Sequence, residues 1–199
     1  MTSTSKVTLR LPSKYASSDS QSAAFSPPSL DFLGRTWSVT HSSLPMWRSA
    51  RNVRITYTPL PNIPNKVSDL VEYESLSPSF ITSGVKKIKG VDTSSVEGDL
   101  SAWDWRGSGL LFFVSSHWEI LGWGERDLGD GEKERWVVTW FQKTVFSAEG
   151  VDVYSDRKEG GSEGLVQEIL EELRKLEELG ELVGDALKQV EIKLPWLGQ

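Results

Sequence analysis

Hydrophobic and polar residues alternate in short runs along most of the chain after residue 30. Aromatic and β-branched residues with a period of two, between turn residues, are typical of antiparallel strands with one buried face. The pattern therefore predicts consecutive strands, each with one apolar face. The residues that share a face are Trp37 with Val39 and His41, Val53 with Ile55 and Tyr57, Val67 with Asp69, Val71 and Tyr73, and Trp103 with Trp105.

The densest apolar stretch lies between residues 110 and 144. Turn signals at Ser115-Ser116 and over 127–134 divide it into three predicted strands, which bring the total to about eight. About eight strands at hairpin spacing predict an up-and-down barrel or a sandwich, and closure into a barrel removes the exposed edges. A bulge near Gly122 would exchange the two faces of its strand, so the relative facing of Trp118 and Trp123 stays open.

The pattern changes to helical spacing near the C-terminus. It predicts an amphipathic helix at about 162–180 on the outside of the barrel, with Ser162 as N-cap and Gly180 as its stop. The Ser/Thr/Pro-rich residues 1–29 are predicted to be a flexible or surface-lying leader, and 30–199 the barrel domain. A final short strand is predicted from the alternation of Val190, Ile192, Leu194 and Trp196.

Composition narrows the function classes. The net charge of −6 is not concentrated in a basic face, which argues against nucleic acid as the partner. The chain has no apolar run long enough to span a membrane. It has no cysteine and two histidines, which disfavours a zinc site, and its N-terminus has no apolar signal region, so a cytoplasmic location is expected. Nine tryptophans against two methionines indicate rigid, flat apolar surfaces.

The order of elements resembles the lipocalin family over roughly residues 30–197. Gly34 and Trp37 resemble the family's first-strand motif, and the segment 116–122 resembles a strand–turn–strand of the family. The segment 141–144 looks like the family's late strand, with Lys143 where an Arg packs across the first-strand Trp. The resemblance implies an eight-stranded cup that binds small apolar molecules. The cysteine-free chain is similar to intracellular fungal lipocalin-like proteins that include Diels–Alderases.

Candidate site residues follow from strand parity and from this resemblance. Ligand-binding walls and lid are predicted at Trp47, Trp103, Trp105, Phe113, Trp118 and Trp140. Inward polar groups are predicted as hydrogen-bond donors or acid/base groups at His41, Tyr57 and Tyr73. For each set the structural alternative, core packing or a satisfied hydrogen bond, stays open.

Function is expected to lie in the interior of the barrel. The resemblance implies a cofactor-independent cyclase of Diels–Alderase or hetero-Diels–Alderase type, whose pocket holds conjugated or polycyclic apolar substrates in reactive geometry. The alternative is a non-catalytic carrier of a small hydrophobic ligand. No metal and no cofactor are expected, although haem held by one histidine stays open, and the chain is expected to be a monomer or a homodimer.

Overall fold

A computed structural model of the chain describes residues 6–16, 25–77, 84–129 and 131–197. These ranges contain nine strands, three α-helices and three 3₁₀ turns. The strands are β1 Thr36–Ser42, β2 Ala50–Pro59, β3 Lys66–Ser75, β4 Val85–Val96, β5 Asp99–Gly107, β6 Ser115–Gly129, β7 Glu132–Phe141, β8 Gly150–Ser155 and β9 Lys188–Gln189. The helices are α1 Leu30–Leu33, α2 Glu163–Arg174 and α3 Gly180–Val183, and the 3₁₀ turns are Pro45–Ser49, Gly109–Leu111 and Glu177–Leu179.

Strands β1 to β8 form a closed antiparallel barrel. Each strand pairs with the next along the chain, and β1 closes the sheet by pairing with both β2 and β8. Trp37 lies opposite Ile55 on one side, and Val39 lies opposite Tyr154 on the other. The predicted all-β barrel with a C-terminal helix is therefore confirmed.

Apolar side chains form one cluster inside the barrel and a second on its outer face. The inner cluster contains Trp37, Val39, Val53, Ile55, Trp103 and Trp118. The outer cluster lies between the barrel and α2, whose Leu165, Ile169 and Leu173 are each at most 1% exposed. This spacing of four residues places all three on one helix face. The predicted outer position of the helix is confirmed.

Three element boundaries differ from those that the sequence pattern predicts. The run at 110–114 contains a 3₁₀ turn, and the eighth barrel strand is instead the short β8. Helix α2 ends at Arg174, and Gly180 begins α3 instead of stopping the first helix. The residues after 189 form a parallel bridge between Arg51 and Glu191 and a hydrogen bond from the Val190 N–H to the Thr40 carbonyl. The final strand predicted over 190–196 is therefore not formed, and the short strand β9 lies just before it.

Helix α1 and the start of β1 close one end of the barrel. The Trp37 indole Nε1 donates to the Leu33 carbonyl at 3.0 Å, and the Arg35 guanidinium lies 5.6 Å from the Trp37 ring. Arg35, the residue that precedes β1, therefore takes the position over the Trp37 ring that the resemblance gave to Lys143. Lys143 is exposed beyond the other end of β7, so that part of the prediction is wrong.

Part of the predicted leader packs on the outside of the barrel. The Arg10 backbone N–H donates to the Leu121 carbonyl at 2.8 Å, and the Arg10 guanidinium lies 2.9 Å from the Glu119 carboxylate. Val7 is 1% exposed and its backbone N–H donates to Glu168 of α2. Residues 6–16 thus run between β6 and the helix, while 1–5 and 17–24 lie outside the described residues.

Among the described residues, no helix is both long and apolar enough to cross a membrane.

Candidate functional site

A cavity of about 230 Å³ opens into the barrel at the end opposite α1. Its wall is mostly aliphatic and aromatic, with Ile55 and Tyr57 from β2, Asp69 and Val71 from β3, and Ile88 from β4. The remaining lining comes from β5 to β8 and the mouth loops: Leu44, Met46, Trp47, Trp105, Leu111, Val114, Ser115, Ser116, Trp118, Phe141, Thr144, Phe146, Ser147 and Asp152. The cavity is therefore a cup of apolar surface with a few polar side chains.

Stacked aromatic rings form one side of the cup. The Trp118 ring lies 5.6 Å from the Tyr57 ring at an interplanar angle of 15°, and 5.9 Å from the Trp103 ring at 14°. Trp103 is fully buried and its indole Nε1 donates to the Leu100 carbonyl at 2.9 Å. Trp118 and Tyr57 thus present flat surface to the cavity, while Trp103 packs behind them.

Trp105 reaches the cavity because β4 carries a glycine beneath it. A Cβ atom at Gly90 would stand 2.1 Å from the Trp105 Nε1, far closer than any real contact. The glycine therefore lets the indole lie against the β4 backbone. Trp105 is on the same strand face as Trp103, as the alternation predicts.

The first 3₁₀ turn places Trp47 across the mouth. Trp47 is 6% exposed, lines the cavity, and meets the Tyr73 ring edge-on with centroids 5.4 Å apart. Met46 beside it is 47% exposed and also lines the cavity. Both side chains have the geometry of a lid, and Tyr73 supports Trp47 without itself lining the cavity.

Three carboxyl groups are buried in and below the cup. Burial raises the pKa of Asp69 on β3 to about 7, and it raises the pKa of Asp152 on β8 to about 7. Burial and the neighbouring Asp69 raise the pKa of Asp92 well above its usual range. Burial also raises the pKa of Tyr57 and of Tyr154, so both phenols stay protonated. The Asp92 carboxyl and both phenols are therefore neutral at physiological pH, whereas Asp69 and Asp152 titrate close to it.

Hydrogen bonds satisfy only part of this group. The Trp118 Nε1 donates to Asp92 Oδ1 at 2.8 Å, and the Ser42 hydroxyl donates to Asp152 Oδ1 at 2.5 Å.

The indoles of Trp47 and Trp105 approach Asp152 and Asp69 closely enough to offset part of the rise in their pKa values. Neither indole completes a hydrogen bond, however. Eight buried polar side-chain atoms have no partner within the described residues, and six of them belong to inward-facing residues of the barrel: Trp47 Nε1, Asp69 Oδ1, Asp92 Oδ2, Trp105 Nε1, Thr139 Oγ1 and Tyr154 Oη. Such orphan atoms around a cavity indicate a site for a polar group.

The structure brings some of the predicted ligand-binding residues together at the cavity. Trp47, Trp105, Trp118 and Tyr57 line it, and Trp103 and Tyr73 pack directly behind the lining. Phe113 is 59% exposed on the outer rim and lies outside the cavity. Trp140 belongs to the outer cluster, where its indole Nε1 donates to Glu149 Oε1 at 2.9 Å.

His41 is placed away from the cavity by a bulge. The register of β1 against β8 shifts between Val39 and His41, which turns the His41 side chain to the outer face beside Leu170 of α2. Burial lowers the pKa of His41. The other histidine, His117, contacts Asp104 at the surface and also lies outside the cavity lining. The arrangement therefore offers no histidine to a haem or a ligand inside the cup.

Strand parity identifies one of the three buried carboxyl groups and misses the other two. Asp69 was recognised as inward-facing, but Asp92 was not, and Asp152 and Tyr154 lie on β8, which the pattern did not predict. The pattern that could have shown β8 is the alternation in Val151-Asp-Val-Tyr154, which places the valines in the outer cluster and Tyr154 in the inner one.

No group of His, Cys, Asp or Glu side chains in the described ranges has an arrangement that would hold a metal ion.

Several solved structures have a fold similar to that of this chain. Lobster apocrustacyanin A1 matches with a TM-score of 0.54 at 8% identity, over 82% of this chain and 79% of that one. Apocrustacyanin C1 matches with a TM-score of 0.54 at 7% identity, over 81% and 78% of the two chains. The fold is lipocalin-like. No protein-family model and no curated protein sequence matches the chain, so the lipocalin-like likeness is one of architecture.

Proposed function

We propose that the chain binds a small, mainly apolar molecule inside its lipocalin-like barrel. The observation that carries the proposal is the cup itself, whose wall combines aliphatic side chains with the flat faces of Trp105, Trp118 and Tyr57. Binding sites for small molecules are characteristically concave and apolar, with a few placed polar groups. Asp69 and Asp152 are such groups here.

The dimensions of the cup favour a small ligand. A volume of about 230 Å³ corresponds to roughly eight water molecules at ~30 Å³ each. This volume lies below the roughly 300–1,000 Å³ of sites for drug-sized ligands. A one-ring or two-ring compound therefore fits the closed cup, whereas a polycyclic ligand requires the Trp47 lid to move.

Tryptophan fluorescence tests the proposal. A panel of small aromatic and aliphatic compounds should quench or shift the emission with saturable binding, because three indoles line the cavity. The response should decrease in Trp105→Phe and persist in Trp140→Phe, whose indole lies in the outer cluster. Absence of a saturable response across the panel would reject a binding cup.

A cofactor-independent cyclase of secondary metabolism is the second candidate function. It is favoured by the raised pKa values of about 7 at Asp69 and Asp152 in an apolar cavity. A protonated carboxyl group there can donate a hydrogen bond to the carbonyl of a bound conjugated substrate and stabilise charge that develops in a pericyclic transition state. Aromatic walls would hold the two π-systems in contact.

Product stereochemistry distinguishes catalysis from binding alone. A linear trienone small enough for the cup should cyclise faster, and with a changed isomer ratio, in the presence of the protein. Asp69→Leu should remove the acceleration while the trienone still binds. An unchanged rate and isomer ratio with the wild-type protein would reject the cyclase and leave the binding function.

A further inference from the structure

The ionisable side chains that line the cup are all acidic. Asp69 and Asp152 are the ionisable acids of the lining, and Tyr57 contributes a phenol. Among the described residues, the lining contains no lysine, arginine or histidine. Arg48, the cation that acts on Asp152, is an exposed side chain whose guanidinium donates to the carbonyls of Ser42 and Ala186.

One carboxyl oxygen of Asp69, which lines the cavity, has no hydrogen-bond partner among the described residues. This oxygen is Oδ1, and the residue is 7% exposed. The groups that surround it are Tyr57 on β2, Asp92 on β4, Trp105 on β5 and Tyr154 on β8. None of these four carries positive charge, so the counter-ion of an ionised Asp69 has to come from outside the protein.

The aromatic wall of the cup can also stabilise a cation. An ammonium group beside Asp69 would lie among the rings of Trp105, Trp118 and Tyr57. The faces of tryptophan and tyrosine attract cations, and the attraction is strongest when the pair is removed from water. A buried carboxylate that is paired and hydrogen-bonded also avoids the large penalty of an isolated buried charge.

We infer that the cup selects a small organic ammonium ion, an alkylamine that carries an apolar group, with its nitrogen against Asp69 and its apolar group against the indoles. The inference rests on the proposed binding function and names its ligand class. The same acidic lining disfavours carboxylate ligands, because their charge would be buried beside Asp69 and Asp152 without compensation.

Three probes of matched size test the inference by isothermal titration calorimetry: 2-phenylethylamine, propylbenzene and 3-phenylpropionate. At pH 8 the amine should bind at least roughly tenfold more tightly than propylbenzene, equivalent to about 1.4 kcal/mol, and 3-phenylpropionate should bind most weakly. Amine affinity should fall as the pH is lowered through about 7, the pKa of Asp69, because the carboxylate that pairs with the ammonium is protonated.

Two variants separate the contribution of the Asp69 charge to affinity from that of the apolar lining of the cup. Asp69→Asn should remove the preference for the amine, so that its affinity falls at least roughly tenfold relative to the propylbenzene affinity of the same variant. Asp185→Asn, an exposed acid outside the cavity, is the matched control and should leave all three affinities unchanged. Because Asp69 is buried without a counter-ion, its neutralisation should also preserve the fold, which circular dichroism checks.

The outcomes distinguish this inference from the binding function. If propylbenzene binds in the cup as tightly as the amine in the wild-type protein, the ligand class is wrong and the binding function stands. Equal amine affinity in wild type and Asp69→Asn overturns the role of Asp69. If neither the three probes nor the wider panel binds, the binding function itself fails.

Discussion

The indole Nε1 of Trp118 donates a 2.8 Å hydrogen bond to Asp92 Oδ1 below the floor of the cup. Trp118 thus has a ring that lines the cavity and an N–H that is fixed by a fully buried carboxyl group. The pair links the stability of the barrel interior to the orientation of a ligand-facing ring.

Substitution of Asp92 tests this link. Asp92→Asn keeps an acceptor for Trp118 and should change the free energy of unfolding little, since burial already keeps the Asp92 carboxyl neutral. Asp92→Leu leaves the indole N–H unpaired and should destabilise the protein by about 1–3 kcal/mol. Urea unfolding measures both. Equal effects of the two variants would contradict the importance of the hydrogen bond.

The buried acids predict an unusual dependence of stability on pH. In the unfolded chain an aspartate has its ordinary pKa of 3.8, whereas the raised pKa values of Asp69 and Asp152 let them keep their protons to about pH 7. Each therefore lowers the free energy of unfolding by about 1.4 kcal/mol per pH unit between about pH 4 and pH 7. The stabilisation from their raised pKa values is full below about pH 4 and is lost as the pH rises through 7.

Thermal or urea unfolding as a function of pH checks that sign. Asp69→Asn should flatten the decline between about pH 4 and pH 7 and should be more stable than wild type at pH 8. Asp185→Asn should follow the wild-type curve. A wild-type protein that gains stability from pH 5 to pH 7 would contradict the burial of uncompensated acids.

Glu119 should anchor the N-terminal segment to the barrel. Burial opposes its ionisation, but hydrogen bonds from His117 and Ser13 and the charge of Arg10 lower its pKa to about 2. Its stabilising contribution is therefore present above about pH 4 and is lost as the pH falls towards 2. Glu119→Gln should cost about 1.5–3 kcal/mol by removing the carboxylate that faces the Arg10 guanidinium, which keeps its hydrogen bonds to backbone carbonyls such as that of Ile120.

Hydrogen exchange shows whether that loss is local. In Glu119→Gln the amide of Arg10, which bonds to the Leu121 carbonyl, should exchange faster than in wild type. Glu97→Gln, in the exposed turn between β4 and β5, should leave its protection unchanged. Unaltered protection in Glu119→Gln would show that the remaining contacts of the segment, such as the burial of Val7 and its hydrogen bond to Glu168, hold it without Glu119.

Tyr57 and His41 should differ in their effect on ligand affinity. Tyr57→Leu removes a ring that stacks on Trp118 beside the ligand, so 2-phenylethylamine affinity should fall roughly two- to tenfold, as for a ring contact worth about 0.5–1.5 kcal/mol. His41→Leu alters the outer face and should not change it. Calorimetric titration compares the two, and equal losses would place His41 in the site.

Strand parity predicted the barrel interior wherever the ladders are regular. Trp37, Ile55 and Trp105 face inwards as their alternation indicates. The position of a bulge depends on how two strands pair, and a single sequence does not show this pairing. The bulge after Val39 moved His41 outwards, and a register shift between Ile120 and Gly122 lets both Trp118 and Trp123 contact the inner cluster.

Contacts between distant segments were beyond the sequence pattern for the same reason. The polar run around Ser13 carries no periodicity, yet its backbone N–H and hydroxyl bind Glu119, which lies 106 residues away. The Asp69 and Asp152 carboxyls belong to strands that are separated along the chain and meet only on closure of the barrel. Their burial follows from tertiary packing, which local alternation does not encode.

The proposed ligand site is tested most directly by a variant whose larger side chain fills the cup. Ile88 lines the cavity, and Val91, three residues along β4, points to the opposite face. Ile88→Trp should weaken 2-phenylethylamine and propylbenzene binding by roughly tenfold or more, equivalent to about 1.4 kcal/mol, in a protein with an unchanged circular dichroism spectrum. Val91→Trp should bind both probes as wild type does. Undiminished binding in a folded Ile88→Trp variant would contradict a ligand site inside the barrel.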